Sequence, residues 1–296
     1  MSTKPDDQPW TVGRILTWTT DYLKKSGAPN PRLDAEVLLA HSLRKSRIQL
    51  YTMYDTVLED ASRATMRDLV KRRANHEPVA YLVGHKEFFS LEFEVNKAVL
   101  IPRPETELLV MHAIEIARQF YASASVDILD LCTGSGCIAV AIATTLKQAN
   151  LTAIDISPDA LEVAKRNAAR HKLESRVEFL QSDLFGSLPA DRKFHVLVTN
   201  PPYIVEADMA TLEPNVKNHE PHLALNGGPD GMTFITPILE RAPQHLHPDG
   251  WLLMEFTPEL QPSIQSVLDR LGCYRETQWI KDLSGQIRHL RTRLSQ

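Results

Sequence analysis

The first part of the chain places its apolar residues at helical spacing. The first predicted helix carries its apolar face on Val12, Ile15, Leu16 and Thr19. Residues three and four apart share one side of an α-helix, so this spacing predicts an amphipathic helix. Pro31 suits the first turn of a second helix, and a third closes near Asn75. These elements predict an N-terminal helical domain over residues 1–85.

The hydrophobic period changes to two after the helical region. Residues 88–95 alternate between apolar and polar side chains, as a strand with one buried face does. Asn96 and Lys97 form the predicted turn, and residues 99–101 return as a second strand. Residues 86–101 are therefore predicted to be a β-hairpin that links two domains.

A proline-rich segment follows the predicted hairpin. Pro102 and Pro104 keep it out of a helix until Glu105, where acidic side chains favour a helix N-terminus. Residues 103–107 have two interpretations, a linker with a helix start or a lid over a cofactor site.

From Val126 onward the pattern of strand, turn and helix repeats. The predicted strands cover residues 126–131, 151–154, 177–180 and 194–198. Repetition of this unit predicts a parallel sheet with covering helices, a Rossmann-like α/β domain over residues 102–296. The carboxyl ends of parallel strands meet at one edge of the sheet, where such proteins bind their ligands. The polar residue that closes each strand is thus a candidate site residue.

The first strand leads into the turn Asp130-x-x-x-Gly134-x-Gly136. Glycine in such a turn lets the backbone approach a ligand closely. Asp155 closes the second strand, where a carboxylate accepts hydrogen bonds from ribose hydroxyls, and Asp183 closes the third and can accept from an adenine amine. The predicted cofactor-binding residues are Cys132, Thr133, Gly134, Ser135, Gly136, Asp155, Asp183, Leu184 and Asn200.

This turn has no neighbouring lysine or arginine to neutralise a pyrophosphate, which favours an adenosine without phosphates. S-adenosylmethionine is such a cofactor, and its sulfonium suits carboxylates and backbone carbonyls. Two alternatives stay open. Position 139 is alanine, which a dinucleotide fingerprint sometimes allows, so the glycines alone do not exclude a dehydrogenase. A structural α/β turn flanked by surface acids would also show this pattern.

The fourth predicted strand ends in Asn200-Pro-Pro-Tyr203. Pro201 and Pro202 fix φ and carry no N–H, so the strand stops and the Pro201 carbonyl can face a ligand. With the Asn200 amide and the Tyr203 ring, this carbonyl forms a receptor for a planar group bearing –NH2, a carboxamide or an adenine edge. We predict catalytic roles for Asn200, Pro201 and Tyr203, and substrate contacts for all four residues. The alternative is a strand-terminating turn with a half-buried tyrosine.

Composition narrows the class of protein. The chain has 296 residues, 43% of them hydrophobic and 24% charged, which is typical of a globular protein. Three cysteines argue against a disulfide framework, and Cys132 and Cys137 lack a second Cys/His pair at zinc spacing, so no metal is predicted. The N-terminus is polar without a signal-peptide core, and no apolar run approaches the ~20 residues of a membrane helix. We therefore expect a cytoplasmic protein without membrane contact.

The charge is distributed unevenly along the chain. The net charge is −4, with 14 Lys and Arg against 11 Asp and Glu in residues 1–90, and 19 against 26 in the remainder. An acidic catalytic half argues against a dedicated grip on duplex nucleic acid. The basic excess is concentrated in Arg63, Arg67, Lys71, Arg72 and Arg73. A solvated helix face explains this run, and contact with an RNA-associated or acidic partner is the alternative.

The motifs resemble those of class I S-adenosylmethionine methyltransferases that act on amide or amine nitrogen. More closely, they are similar to those of the release factor glutamine methyltransferases, the PrmC/HemK family, over nearly the whole chain. The resemblance is carried by Pro31-Arg-Leu-Asp-Ala-Glu36, Phe88-Phe-Ser-Leu-Glu-Phe93, Ile101-Pro-Arg-Pro-Glu-Thr-Glu107, Ile128-Leu-Asp-Leu131, Asn200-Pro-Pro-Tyr203, Glu220-Pro221 with Gly227-Gly-Pro-Asp-Gly231, and Asp282-Leu-Ser-Gly-Gln286 with Arg288.

This resemblance implies a class I methyltransferase fold and S-adenosylmethionine as the methyl donor. It also implies that the substrate is the glutamine of the Gly-Gly-Gln loop in class 1 peptide chain release factors, methylated at N5 and held by the helical domain. We expect a monomer without direct nucleic-acid contact. Two positions depart from the family pattern, because Cys132 stands where the family often has glycine, and Phe256 stands where glycine often follows Glu255.

Three other functions stay open at this point. The segments beginning at Cys132 and Asp155 look as much like the enzyme that methylates a glutamine of a large-subunit ribosomal protein. Adenine methyltransferases share Asn-Pro-Pro-Tyr, although they need a basic channel and a pocket for a flipped base. A non-catalytic adaptor that binds S-adenosylmethionine is the third alternative.

Overall fold

The structure, a computed structural model, describes residues 9–122 and 125–295. Most of the polar N-terminus, for which we predict no signal peptide, lies outside the described residues. The chain forms two compact units. A helical unit comprises Met1–Gly84 with Pro214–His219, and an α/β unit comprises His85–Glu213 with Glu220–Gln296. No helix within the described residues has the length and apolar character needed to cross a membrane.

The helical unit is built from helices whose buried apolar residues form one core. They are α1 (Val12–Lys25), α2 (Pro31–Leu43), α3 (Arg47–Thr52), α4 (Asp60–Ala74) and α5 (Val79–Val83). The predicted apolar face of α1 is confirmed, since all four of its residues are buried. Pro31 begins α2 and Asn75 caps α4, as the sequence predicts.

Charged side chains are buried between these helices. On α2, the Asp34 carboxylate accepts from Arg73 Nε at 2.7 Å, and both residues are buried. Glu36, also buried, accepts from Arg32, Arg47 and the Tyr51 hydroxyl at 2.6–2.8 Å. Burial alone would raise the pKa of Glu36, but the hydrogen bonds from these three donors lower it below its ordinary value. The acidic residues of this motif therefore belong to a closed structural network.

A hairpin is present, but the positions predicted for its turn and for its second strand are wrong, because residues 99–101 form no strand. The strands are β1 (His85–Phe88) and β2 (Leu91–Glu94), and the turn lies at Phe89 and Ser90 rather than at Asn96 and Lys97. Both turn residues have positive φ, 51° and 58°, as a two-residue type I′ turn requires. Glu107 stabilises this conformation by accepting the Phe89 N–H at 2.8 Å. The hairpin belongs to the α/β unit.

A mixed sheet forms the centre of the α/β unit. Within the described residues its seven strands are β3 (Val126–Leu131), β4 (Ala149–Asp155), β5 (Val177–Gln181), β6 (Phe194–Thr199), β7 (Leu246–Glu255), β8 (Tyr274–Lys281) and β9 (Ile287–Leu294). Their order is β5-β4-β3-β6-β7-β9-β8, and β9 is antiparallel to both of its neighbours while the first five are parallel. All four predicted strands are confirmed.

Helices cover both faces of this sheet. They are α6 (Glu107–Phe120), α7 (Cys137–Thr145), α8 (Pro158–Arg170), α10 (Ile235–His245) and α11 (Gln261–Leu271), while the short α9 (Pro214–Lys217) is counted with the helical unit. Alternate strand residues enter different cores, because successive side chains point to opposite faces. Ile128 and Val196 pack with α6 and α7, and Leu129 and Leu197 pack with α10 and α11. Buried on both faces, the strands hold their carboxyl ends rigidly.

Candidate active site

A cavity opens at the carboxyl edge of the parallel strands. It is lined by every predicted cofactor residue except Gly136, and by Pro202 of the Asn-Pro-Pro-Tyr motif. Gly136 lies behind the turn, where a Cβ would come within 3.0 Å of the Ala164 side chain. Pro201 and Tyr203 follow Asn200 in the chain without lining the cavity itself. The structure thus brings the four strand-end motifs together.

The Asp155 carboxylate is held by backbone N–H groups on both of its oxygens. Oδ2 accepts from Gly134 at 2.8 Å, and Oδ1 accepts from Ser157 at 2.9 Å. Burial raises the pKa of Asp155, against the lowering effect of these hydrogen bonds. Each carboxylate oxygen can accept further bonds, so Asp155 can still receive the hydroxyls of a ribose.

Left-handed backbone shapes the floor of this cavity. Gly134 has φ 54°, and a Cβ there would meet no atom within 4 Å, so the turn is open towards the cavity. Cys132 has φ 64° and Leu184 has φ 47°, a region that non-glycine residues seldom adopt. Glycine would adopt the Cys132 conformation without strain, which gives the departure from the family pattern a physical meaning.

Asp130 supports the turn from beneath, a role that the sequence analysis did not assign. Its Oδ2 accepts from the Thr133 hydroxyl at 2.6 Å and from the Ala139 N–H at 3.1 Å. Oδ1 is buried without a hydrogen-bond partner among the described residues. Complete burial raises the pKa of Asp130 to about 7, although both hydrogen bonds lower it. Its position at the start of the motif Asp130-x-x-x-Gly134-x-Gly136 is the sequence signal that indicates this supporting role.

Asn200 lies at the end of β6 in a fixed orientation. Its Nδ2 donates to Thr106 Oγ1 at 3.3 Å, and Thr106 Oγ1 donates to Glu255 Oε2 at 2.7 Å. Asn200 Oδ1 and the Pro201 carbonyl accept no hydrogen bond from the described residues. Two acceptors therefore remain free at the strand end, as the two prolines predict for the carbonyl.

Tyr203 is anchored to the same carboxylate. Its hydroxyl donates to Glu255 Oε1 at 3.3 Å. Burial and then the charge of Glu255 raise the pKa of Tyr203, so the phenol stays protonated and serves as a donor. His289 also faces Glu255, but its Nε2 lies 3.7 Å from Oε2, beyond hydrogen-bond distance. Thr106 and Tyr203 are thus the hydroxyl partners of this carboxylate.

Two glycines press against the backbone of the Asn-Pro-Pro-Tyr segment. A Cβ at Gly227 would lie 2.7 Å from Tyr203 Cα, and one at Gly231 would lie 2.8 Å from the Tyr203 carbonyl oxygen. Only glycine permits such close approach. The Gly-Gly-Pro-Asp-Gly motif therefore fixes the path of the chain after Pro202.

The segment before α6 joins the wall of the cavity. Pro102, Arg103 and Thr106 line it, and Arg103 donates to Glu220 at 2.6 Å. The same carboxylate accepts the Ile101 N–H at 3.2 Å. The lid interpretation of residues 103–107 stays a prediction, supported by this place in the cavity wall.

Comparison with known proteins identifies the family. Residues 14–84 match the family model described as the PrmC N-terminal domain, and residues 106–271 match the methyltransferase small domain. A release factor glutamine methyltransferase of Rhodopirellula baltica is 45% identical over 98% of both chains. The chain belongs to the release factor glutamine methyltransferase family. A relative of the same name from Geobacter sulfurreducens is 41% identical over 92% of both chains.

Solved structures agree with the fold of this methyltransferase family member. A methyltransferase from Pyrococcus furiosus superposes with a TM-score of 0.51 at 21% identity, covering 76% of this chain and 98% of the other. At this identity the likeness concerns the fold alone. It confirms the predicted class I methyltransferase architecture.

The cofactor of this methyltransferase is S-adenosylmethionine, and the cavity fits it. Asp155 keeps acceptor capacity for the ribose, and the Gly134 backbone admits close approach. Asp183 and the apolar Leu184 and Ile156 form a further part of the wall. Ile156 was missed in the sequence, although it directly follows the strand-end aspartate.

Three side chains with metal-ligating atoms lie close together at the opposite edge of the sheet. Within the described residues, Asp127, His195 and His247 bring one ligand atom each within 4.8 Å of one another. His195 Nδ1 already accepts the Asp127 N–H at 3.0 Å, and the Asp127 side chain accepts from Asn150 at 3.0 Å. These contacts make the group a structural cluster between strand ends.

Proposed function

We propose that this chain transfers a methyl group from S-adenosylmethionine to the side-chain amide nitrogen, N5, of the glutamine in the Gly-Gly-Gln motif of class 1 peptide chain release factors. One observation carries the proposal. Asn200 Oδ1 and the Pro201 carbonyl are free acceptors at the end of β6, and Asn200 also lines the cavity. A primary carboxamide has two N–H donors on one nitrogen and matches this pair.

The two free acceptors would orient the amide nitrogen of the substrate for methyl transfer. An amide nitrogen is a poor nucleophile because its lone pair is delocalised into the carbonyl. Asn200 Oδ1 and the Pro201 carbonyl would each accept one N–H, which aims the nitrogen and favours its pyramidalisation. The Tyr203 ring would pack on the amide plane. Orientation of this kind contributes up to about 7–11 kcal/mol in intramolecular reactions.

Charge stabilisation completes the proposed mechanism. When bound, S-adenosylmethionine supplies an electrophilic methyl group on its sulfonium. As positive charge grows on the substrate nitrogen, the fixed dipoles of the Pro201 carbonyl and the Asn200 side chain stabilise it. Alkylated amide nitrogen loses its proton readily, so a strong base before attack is unnecessary. Asp155 would hold the ribose and Asp183 the adenine amine.

The domain roles and partners follow from the same proposal. The helical domain of residues 1–85 would hold the release factor. The hairpin segment of residues 86–101 would link this domain to the methyltransferase domain of residues 102–296. Residues 103–107 would act as a lid over the cofactor site. The relatives' name supports release factors as the partner class. We further propose that the protein is a cytoplasmic monomer. It would make no direct nucleic-acid contact, which the net charge of −4 supports.

A label-transfer experiment tests the substrate. The purified chain is incubated with methyl-labelled S-adenosylmethionine and either a class 1 release factor or the same factor with its Gly-Gly-Gln glutamine changed to alanine. We expect label on the first and none on the second. Label only on a large-subunit ribosomal protein or on DNA would overturn the substrate and retain the methyltransferase.

The Asn200→Ala variant tests the site. Turnover should be lost because one of the two free acceptors disappears, while cofactor affinity changes little. Equal collapse of cofactor binding would show that the role given to Asn200 is wrong. Cofactor binding by the unmodified chain without transfer to any substrate would favour the adaptor.

A further inference from the structure

We infer that Thr106 and Glu255 are positioning residues that fix which end of the Asn200 amide faces the substrate. The inference rests on the proposed function, because it concerns how Asn200 recognises a carboxamide. An asparagine side chain is nearly symmetric in shape, and rotation by about 180° exchanges an acceptor for a donor. Recognition of an –NH2 group requires the oxygen to face the cavity.

The direction of hydrogen-bond donation sets this orientation. Thr106 has a single hydroxyl proton, and the short contact of 2.7 Å directs it to Glu255 Oε2. Only a lone pair of Thr106 Oγ1 is then left for Asn200, 3.3 Å away. Asn200 must present its NH2 to Thr106, and its Oδ1 is forced towards the substrate side.

The reversed orientation would have no satisfactory partner. With Oδ1 turned to Thr106, two acceptors would face each other without a proton between them. A rotation of the hydroxyl towards Asn200 would remove the donor from Glu255 Oε2. Thr106 is 3% exposed and Glu255 is 2% exposed, so water does not replace a lost partner there.

The fold supplies Glu255 from the neighbouring strand. Thr199 on β6 pairs with Met254 on β7, which places Glu255 beside Asn200 at the carboxyl edge. The other carboxylate oxygen accepts the Tyr203 hydroxyl at 3.3 Å. One buried carboxylate thus orients both Asn200 and Tyr203, and the proline-rich segment contributes Thr106 as the intermediary.

The test measures a preference between amide and carboxylate. Release factor carrying its Gly-Gly-Gln glutamine, and the same factor with that glutamine changed to glutamate, are titrated against the enzyme without cofactor. The unmodified enzyme should bind the glutamine form more tightly, because Asn200 Oδ1 and the Pro201 carbonyl repel a carboxylate. In Thr106→Val the Asn200 amide can reverse and donate to glutamate, so the preference should fall about tenfold or more.

Two further variants keep the inference falsifiable. Thr106→Ser retains the hydroxyl and should restore most of the preference. Glu255→Gln can donate to Thr106 and should reduce the preference even if Thr106→Val folds poorly. The kcat for the glutamine form should fall about 10–100-fold in Thr106→Val, with serine again restoring it.

The outcomes separate the inference from the proposed function. An unchanged preference ratio in Thr106→Val and Glu255→Gln, with affinity for both forms lowered equally, would mean that these residues support the fold only. An unmodified enzyme that neither prefers nor methylates the glutamine form would overturn the proposed function, and the inference with it.

Discussion

Two buried acids, Glu36 in the helical unit and Asp130 beneath the cavity, show opposite pKa shifts. Three donors surround Glu36 and lower its pKa. Asp130 has two donors on a single oxygen, none on the other among the described residues, and a pKa raised to about 7. In the helical unit, neighbouring side chains donate hydrogen bonds to the buried Glu36 carboxylate. At the carboxyl edge of the sheet, Asn200 Oδ1 and the Pro201 carbonyl accept none from the described residues.

This difference distinguishes a motif that stabilises the helical unit from the motifs of the candidate active site. In Pro31-Arg-Leu-Asp-Ala-Glu36, Glu36 accepts from two arginines and a tyrosine, and Asp34 accepts from Arg73, so these contacts stabilise the helical unit. Asp155, Asn200 and the Pro201 carbonyl keep capacity for a ligand. Unused acceptor capacity, rather than burial or charge alone, distinguishes the residues proposed to bind ligands from Glu36.

Removing the cation that pairs with the buried Asp34 carboxylate should have the largest effect on stability. Arg73→Met leaves the Asp34 carboxylate buried without its cation, and we expect the free energy of unfolding to fall by about 3–5 kcal/mol. Arg63→Met, on the same helix, removes a partner of the exposed Asp60 and should cost about 0–1 kcal/mol. Urea unfolding of both variants measures the difference, and similar losses would contradict the comparison.

A substitution at the carboxyl edge of the sheet should change the affinity for the cofactor instead. Asp155→Asn loses acceptor strength, and we expect the dissociation constant for S-adenosylmethionine to rise about 10–100-fold. Asp159→Asn, exposed in the first turn of α8, serves as the matched control. Calorimetric titration distinguishes them, and an unchanged affinity in Asp155→Asn would remove the proposed ribose contact.

The raised pKa of Asp130 predicts a dependence of stability on pH. Between its ordinary value of 3.8 and about 7, the folded state holds a proton that the unfolded state releases, so this group lowers stability as pH rises through that window. Asp130→Asn removes the titration. Its stability relative to the unmodified chain should therefore increase by about 2–3 kcal/mol between pH 5 and pH 8. Melting temperatures across this range test it, and parallel pH curves would refute it.

The smallest expected effect concerns the strained turn. Cys132→Gly places glycine at φ 64°, which relieves strain but increases the freedom of the unfolded chain. We expect a net stabilisation of about 0.5–1 kcal/mol with little change in cofactor affinity. Chemical denaturation provides the measurement, and a clear destabilisation would show that the packing of the thiol outweighs the strain.

Short-range sequence patterns predicted the four parallel strands and the site residues that close them. Strand, turn and helix repeat within short distances, and Asp155 and Asn200 were found because they close strands. The hairpin turn was misplaced because Phe89 and Ser90 carry none of the glycine or asparagine expected at positive φ. The contact from Thr106 to Glu255 joins residues 149 positions apart, and no local pattern indicates such a pairing.

The strand order also bears on how such enzymes diverge. Apart from Asn200, which belongs to both sets, the residues proposed to bind the methyl donor lie at the ends of β3, β4 and β5. Those proposed to orient the methyl acceptor lie at the ends of β6 and β7. The two sets meet only between β3 and β6. In a sheet of this order, residues on the flank proposed for the target molecule can change while the flank proposed for the donor stays the same.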